Sequence, residues 1–228
     1  MIWSRSIRVN ERSRFREIEA RIEAAESASD AEIVPVVVVE SHDYAFYEFR
    51  VAILLGLLTF LACLVWIHPL ENLLQSNLWG YQAYHLVLAT GLLAFGVMLV
   101  VYLLVNIPWL DRQVIPGRVM AQRVRERALR AFAESKVSHT EKRLGLLIFV
   151  SLLERRVEIL ADTGLSGKIA PEIWQQIVSD MGRIMHQAGW VDGVLHGVEQ
   201  AGQVLAVHFP ASGSRSNRLA DEVTLMER

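Results

Sequence analysis

The chain has 228 residues, enough for one or two domains. Hydrophobic residues make up 52% and charged residues 21%, with a mean hydropathy of +0.28, which excludes a disordered chain. Lysine and arginine number 23 against 25 acidic residues, so the net charge of −2 removes the electrostatic case for nucleic acid. The single cysteine, Cys63, excludes an internal disulfide and any CxxC metal or redox motif.

The first element is a helix over about Glu11–Ala28, where Phe15, Ile18 and Ile22 recur at helical spacing. Residues 1–30 are too charged for a signal peptide, so nothing is expected to be cleaved. Residues 32–40 are short, β-branched and apolar on both faces, which suits a buried strand. Pro35 lacks an N–H and so asks for an edge position or a bulge.

Two apolar blocks follow. Phe49 to Ile67 holds nineteen residues with one charge, Arg50; Leu86 to Ile107 holds twenty-two with none. As helices they would be about 28 and 33 Å long, against a hydrocarbon core of about 30 Å. Tyr44, Phe46, Tyr47, Phe49, Trp66, Trp79, Tyr81, Tyr84, Tyr102 and Trp109 cluster near the block ends, as interfacial rings do. The small-residue pairs Ala52/Gly56 and Thr90/Ala94 allow close contact within the hairpin. The link from His68 to His85 has no lysine or arginine. Arg5, Arg8, Arg12, Arg14, Arg16 and Arg21 precede the pair, and Arg112, Arg118, Arg123, Arg125, Arg127 and Arg130 follow it. The expectation is a cell-membrane protein with two spans, about 49–67 and 86–107, an external loop and both termini cytoplasmic.

After the turn at Pro116 and Gly117, a helix is predicted over about Arg118–Ser135, its apolar stripe formed by Val119, Val124, Ala128, Leu129 and Phe132. The arginines of this helix could meet anionic headgroups or simply face solvent. Gly145–Ser151 is a second buried strand, Glu154 to Arg156 a hairpin turn, and Val157–Ala161 a third strand. A glycine-containing loop from Asp162 to Lys168 leads to a helix opened by Pro171 and ending near Gln187. Gly189 separates it from a last helix over about Val191–His208. The first strand is too apolar to stand alone and needs partners beyond the hairpin. The fold class is therefore α/β: a small mixed sheet sandwiched by helices, with an inserted two-helix transmembrane hairpin. Residues 1–48 supply the first helix and strand, 49–110 the hairpin, 111–209 the rest of the α/β domain, and 210–228 a flexible tail.

The segment Ala128 to Phe132, Thr140, the run Gly145–Ser151, Glu154 with Arg155, and the run Val157–Asp162 together resemble the TPM domain, a thylakoid acid phosphatase-like domain. The resemblance covers about Arg118 to Val207, with the strand near 33–39 as its first β element. It implies an α/β sandwich, and it links the chain to acid phosphatase activity, calcium binding or the assembly of membrane complexes. The acidic loop of many relatives is replaced here by residues 142–145 and 163–167, so fewer carboxylates converge.

Asp162 ends a strand ahead of Gly164 and Gly167, and ligands of open α/β sheets bind outside strand carboxyl ends. Glu154, Asp162 and Glu172 are the candidate metal ligands, since carboxylate oxygens suit a hard cation such as Ca2+. The same residues also read as a hairpin glutamate, a turn aspartate and a first-turn helix glutamate, each in solvent. Asp192 and His196, four apart on a helix, with His186 nearby, read as a surface pair, since a zinc site lacks its further ligands. His68 and Glu71 beside the first apolar block are no stronger. Cys63 reads as packing within the bilayer. No phosphate-binding loop or nucleophile elbow occurs. The favoured function is an integral membrane protein presenting a cytoplasmic TPM-like domain as an interaction module for another membrane protein, with a weak divalent-cation site for Ca2+ and the lipid bilayer as its other partner. The alternative is a low-efficiency acid phosphatase.

Overall fold

The structure is a computed structural model that describes residues 12–42, 44–105, 115–135, 137, 142–212 and 224–226. Asn106, Ile107, Trp109, Arg112, Thr140 and the N-terminal arginines Arg5 and Arg8 lie outside the described residues. In chain order the elements are α1 (Arg12–Ser27), β1 (Glu32–Val38), α2 (Ala45–Val65), α3 (Ile67–Asn77), α4 (Ala83–Val105), α5 (Gly117–Glu134), β2 (Gly145–Ser151), β3 (Arg156–Ala161), α6 (Thr163–Ser166), α7 (Pro171–Ala188), α8 (Trp190–His208) and β4 (Thr224–Met226). They form two compact units, one of Met1–His42 with Arg118–Arg228 and one of Asp43–Gly117.

In the first unit the sheet order is β3-β2-β1-β4. β1 runs parallel to β2, from Glu32 opposite Gly145 to Val38 opposite Ser151, and β2 is antiparallel to β3. A parallel pair is buried on both faces, which is why β1 and β2 read as continuous apolar runs. On one face Val34, Val36, Val38, Leu147 and Phe149 pack with Val124, Ala128 and Ala131 of α5. On the other, Ile33, Val37, Leu146, Ile148 and Val150 pack with Ile18 and Ile22 of α1, Met181 of α7, and Val198 and Leu205 of α8. The small mixed sheet is thus sandwiched by helices. Phe149 is completely buried at the centre.

Several expectations are corrected here. Leu129, assigned to the apolar stripe of α5, is 51% exposed; the buried positions are Met120, Val124, Ala128 and Ala131, and Leu129 lies one residue, about 100°, off that face. The polar tail is not wholly irregular, because Thr224–Met226 pairs in parallel with Val36–Val38 as β4. Pro35 lies within β1 opposite Ile148 of β2, and among the described residues the pairing with β4 runs from Val36 to Val38.

α1 and α8 are joined by two ion pairs seven residues apart on each helix, Arg14–Asp192 at 2.5 Å and Arg21–Glu199 at 2.7 Å. Their backbones come close at Gly202, where an added Cβ would sit 2.5 Å from the Ala25 Cβ. Gly189, at φ +108°, makes the sharp junction between α7 and α8, a conformation that side chains disfavour.

In the second unit α2 packs on α4. A Cβ at Gly56 would lie 3.1 Å from Met98 Cβ and 3.3 Å from the Ala94 carbonyl oxygen, so the small residues at these positions do set the helix contact. The hydroxyls within these helices are satisfied locally, Thr59 donating to the Leu55 carbonyl at 2.8 Å and Thr90 to that of Leu86 at 3.0 Å. Residues Ala83–Leu104 form one helix long and apolar enough to cross a membrane, with a hydropathy of 2.5. The other expected span differs from the sequence reading. α2 stops at Val65, and the chain bends by 79° into α3, so the apolar stretch Phe49–Val65 and α3 meet the same criterion only as a broken pair. Residues 68–77, expected as loop, are helical. Pro69 explains both facts. Its ring would clash with the Val65 carbonyl if α2 continued, while in the first turn of α3 its missing N–H costs nothing.

Candidate functional site

The sheet of the first unit has two polar ends. At the end where β3 finishes, Asp162 caps the short helix α6: its Oδ1 accepts from the Thr163 N–H at 2.6 Å, and its own N–H donates to the Gly145 carbonyl at 2.9 Å. Asp162 is 4% exposed, and its Oδ2 is buried without a hydrogen-bond partner. Gly164 fits because the backbone of residues 142–143 passes directly beneath it. An added Cβ would lie 2.6 Å from the Arg143 carbonyl oxygen and 2.7 Å from that of Lys142, and the Gly164 N–H bonds to Arg143 at 3.0 Å.

At the opposite end, where β1 and β2 finish, Glu154 is also 4% exposed. Its Oε1 accepts from the Ser41 N–H at 3.0 Å and its Oε2 from the Ser151 hydroxyl, while the Ser41 hydroxyl donates to Ser151 Oγ at 2.8 Å. All three side chains are buried. This network ties the exit of β1 to the β2–β3 turn.

The structure therefore does not bring the three candidate ligands together. Glu154 and Asp162 lie at opposite ends of β3, about 20 Å apart at strand rise. Glu172 is exposed in the first turn of α7. A hard cation needs six or more oxygens, and a single Asp162 oxygen supplies one. Among the described residues no group of three or more His, Cys, Asp or Glu side chains is placed to hold a metal. The solvated readings also need correction, because Glu154 and Asp162 are internal structural groups and only Glu172 meets solvent. Asp192, read with His196 as a surface pair, turns instead to Arg14.

Sequence reasoning missed a second polar cluster. Asp30, after α1, accepts from Lys142 Nζ at 2.6 Å, from the Ser212 N–H at 2.8 Å and from the Ser212 hydroxyl. The lysine hydrogen bond, followed by those from Ser212, holds the Asp30 carboxyl down at about 2 from its ordinary 3.8. These three residues are 112 and 182 positions apart in pairs with Asp30, so no local signal announced them. Their geometry joins three chain segments by one carboxylate, which is the work of a clasp.

The site thus sits in an α/β sandwich whose chain is interrupted after its first strand by an apolar helical pair, and Glu154 and Asp162 are buried within that sandwich. Residues 114–204 match the family model of the TPM domain. Among solved structures, the NMR structure of the BA42 protein from the psychrophilic bacterium Bizionia argentinensis is similar in fold, with a TM-score of 0.55 and 15% identity, over 94% of this chain and 93% of that one. No curated protein matches the chain.

Proposed function

We propose that this chain is a membrane-inserted protein that holds its TPM domain at the cytoplasmic face as an interaction module for another membrane protein. The observation that carries the reading is the surface of α4. Its most apolar window is only 6% buried, and Leu88, Leu92, Leu93, Phe95, Leu99, Val100, Leu103 and Leu104 are 45–67% exposed. Leaving eight half-exposed large side chains in water would forfeit on the order of 10 kcal/mol of transfer free energy on this helix alone. Lipid recovers it. The orientation rests on the arginines, which flank the apolar pair on both sides and are absent between His68 and His85.

The module reading is supported by what the polar groups of the first unit do. Glu154, Asp30 and the α1–α8 ion pairs each hold one part of the fold to another. The test is alkaline extraction of native membranes, followed by photo-crosslinking from exposed positions on α5 such as Gln122 and Leu129. The reading expects retention in the pellet and a discrete membrane-protein adduct. Release into the supernatant overturns the membrane part. Steady phosphate-ester turnover that is lost in Asp162→Asn overturns the module part in favour of the phosphatase.

A further inference from the structure

The helix α3 belongs to neither the sandwich nor a straight span, and its geometry suits one environment. From the structure we infer that α3 is an interfacial helix, lying flat in the lipid headgroup region at the end of α2. This rests on the membrane reading of α2 and α4 above.

Three observations converge. The first is direction: α3 is turned 79° from α2, so when α2 stands near the membrane normal, α3 lies almost in the membrane plane. The second is the distribution of side chains. At 100° per residue, Ile67, Pro69, Leu70, Leu73 and Leu74 occupy one side of α3, with the last residue, Asn77, at its C-terminal end, and His68, Glu71, Asn72, Gln75 and Ser76 occupy the other. No residue of α3 is buried, and Leu73 is 59% exposed, so the protein itself covers the apolar side only in part. The third is continuity. Leu70 and Leu73 line an apolar recess of about 530 Å³ together with Thr59, Cys63 and Trp66 of the adjoining chain and Leu93 of α4. The apolar side of α3 is therefore one surface with the outer faces of the two long helices. Trp66 at 69% and Trp79, fully exposed, stand at its two ends, where amphipathic rings mark the lipid–water boundary.

The polar side of α3 is built for water. Glu71 accepts from Gln75 and from the Tyr81 hydroxyl at 3.4 Å, and the Ser76 hydroxyl and Asn77 amide cap the Leu73 carbonyl at 2.9 and 2.8 Å. The helix carries Glu71 and neither lysine nor arginine. Its attachment thus depends on buried apolar area and not on anionic headgroups, unlike basic interfacial helices.

The test uses the full chain in phosphatidylcholine nanodiscs. Single nitroxide labels are placed by Leu57→Cys, Leu73→Cys and Gln75→Cys in a Cys63→Ala background, and collision with oxygen and with a water-soluble nickel chelate is measured. The expected result is a deep Leu57 label, a shallow but oxygen-favoured Leu73 label, and a nickel-favoured Gln75 label, with the ratio several-fold higher at Leu73 than at Gln75. Equal nickel access at Leu73 and Gln75 beside a deep Leu57 overturns the interfacial helix and leaves the span intact. Labels as deep at both α3 positions as at Leu57 overturn it in favour of a crossing helix. Nickel access at all three positions overturns the membrane reading itself.

Discussion

The Asp30 clasp makes a sharp prediction about acid stability. Replacing Asp30 by Asn removes the charge while keeping the shape. In the native protein the carboxyl is held at about 2 against an ordinary 3.8, chiefly by the Lys142 hydrogen bond and then by Ser212. Taken at face value, that depression corresponds to about 2 kcal/mol. Lys142 is 59% exposed, so solvent screening reduces the figure to about 1 kcal/mol. The sign follows from linkage. A carboxyl whose pKa is lowered by folding stabilises the native state fully above its unfolded value near 4, and the contribution disappears as the pH falls through about 2. Asp30→Asn should therefore lower stability by about 1 kcal/mol at pH 7 and by almost nothing at pH 2. Hydrogen exchange of the β1 and β2 peptides in the detergent-solubilised full chain reads this as faster exchange of the variant at neutral pH. Exchange after acid exposure should converge. Equal protection at pH 7, or a gap that persists at pH 2, refutes the assignment of a charged clasp.

Other outcomes follow from the same geometry. Phe149→Ala empties the centre of the sandwich and should cost about 3–5 kcal/mol, measured as a fall in the thermal midpoint of the domain. Gly164→Ala pushes a methyl into two backbone carbonyls and strains the Gly164–Arg143 hydrogen bond. It should cost about 1–3 kcal/mol despite the usual helical gain of alanine, and an unchanged midpoint would contradict the close approach. Glu154→Leu leaves the Ser41 N–H and the Ser151 hydroxyl without their acceptor and should cost about 2–4 kcal/mol, whereas Glu154→Gln, which keeps an acceptor, should cost clearly less; equal losses would show that the network is not what stabilises this end. Pro69→Ala removes the cause of the bend, and helicity by circular dichroism in micelles should rise as α2 and α3 join; no change would place the break elsewhere.

Much of this was present in the order of residues alone. Continuous apolar runs at 33–39 and 145–151 required a sheet covered on both faces, because a strand with no polar side has no face to give to water. The absence of charge from Leu86 to Ile107, and the helical spacing of Val124, Ala128, Ile18 and Ile22, fixed where helices form and which of them could meet lipid. Pro69 also carried its message, since a proline four residues after Val65 ends a helix there, although the loop reading of residues 68–85 passed over it. What only the tertiary structure decided was which ends of these elements meet. Glu154 and Asp162 stand eight residues apart in the chain, and an extended strand between them turns that short separation into opposite poles of the sheet. Asp30, Lys142 and Ser212 show the converse, for the parallel pairing of β1 with β2 brings Asp30 to Lys142, and the bridge between Ser29 and Pro210 brings Ser212 to both, closing gaps of more than a hundred residues. Sequence spacing measures distance along the chain, whereas hydrogen bonds and ion pairs form between atoms a few ångströms apart, and strand direction sets the conversion between the two.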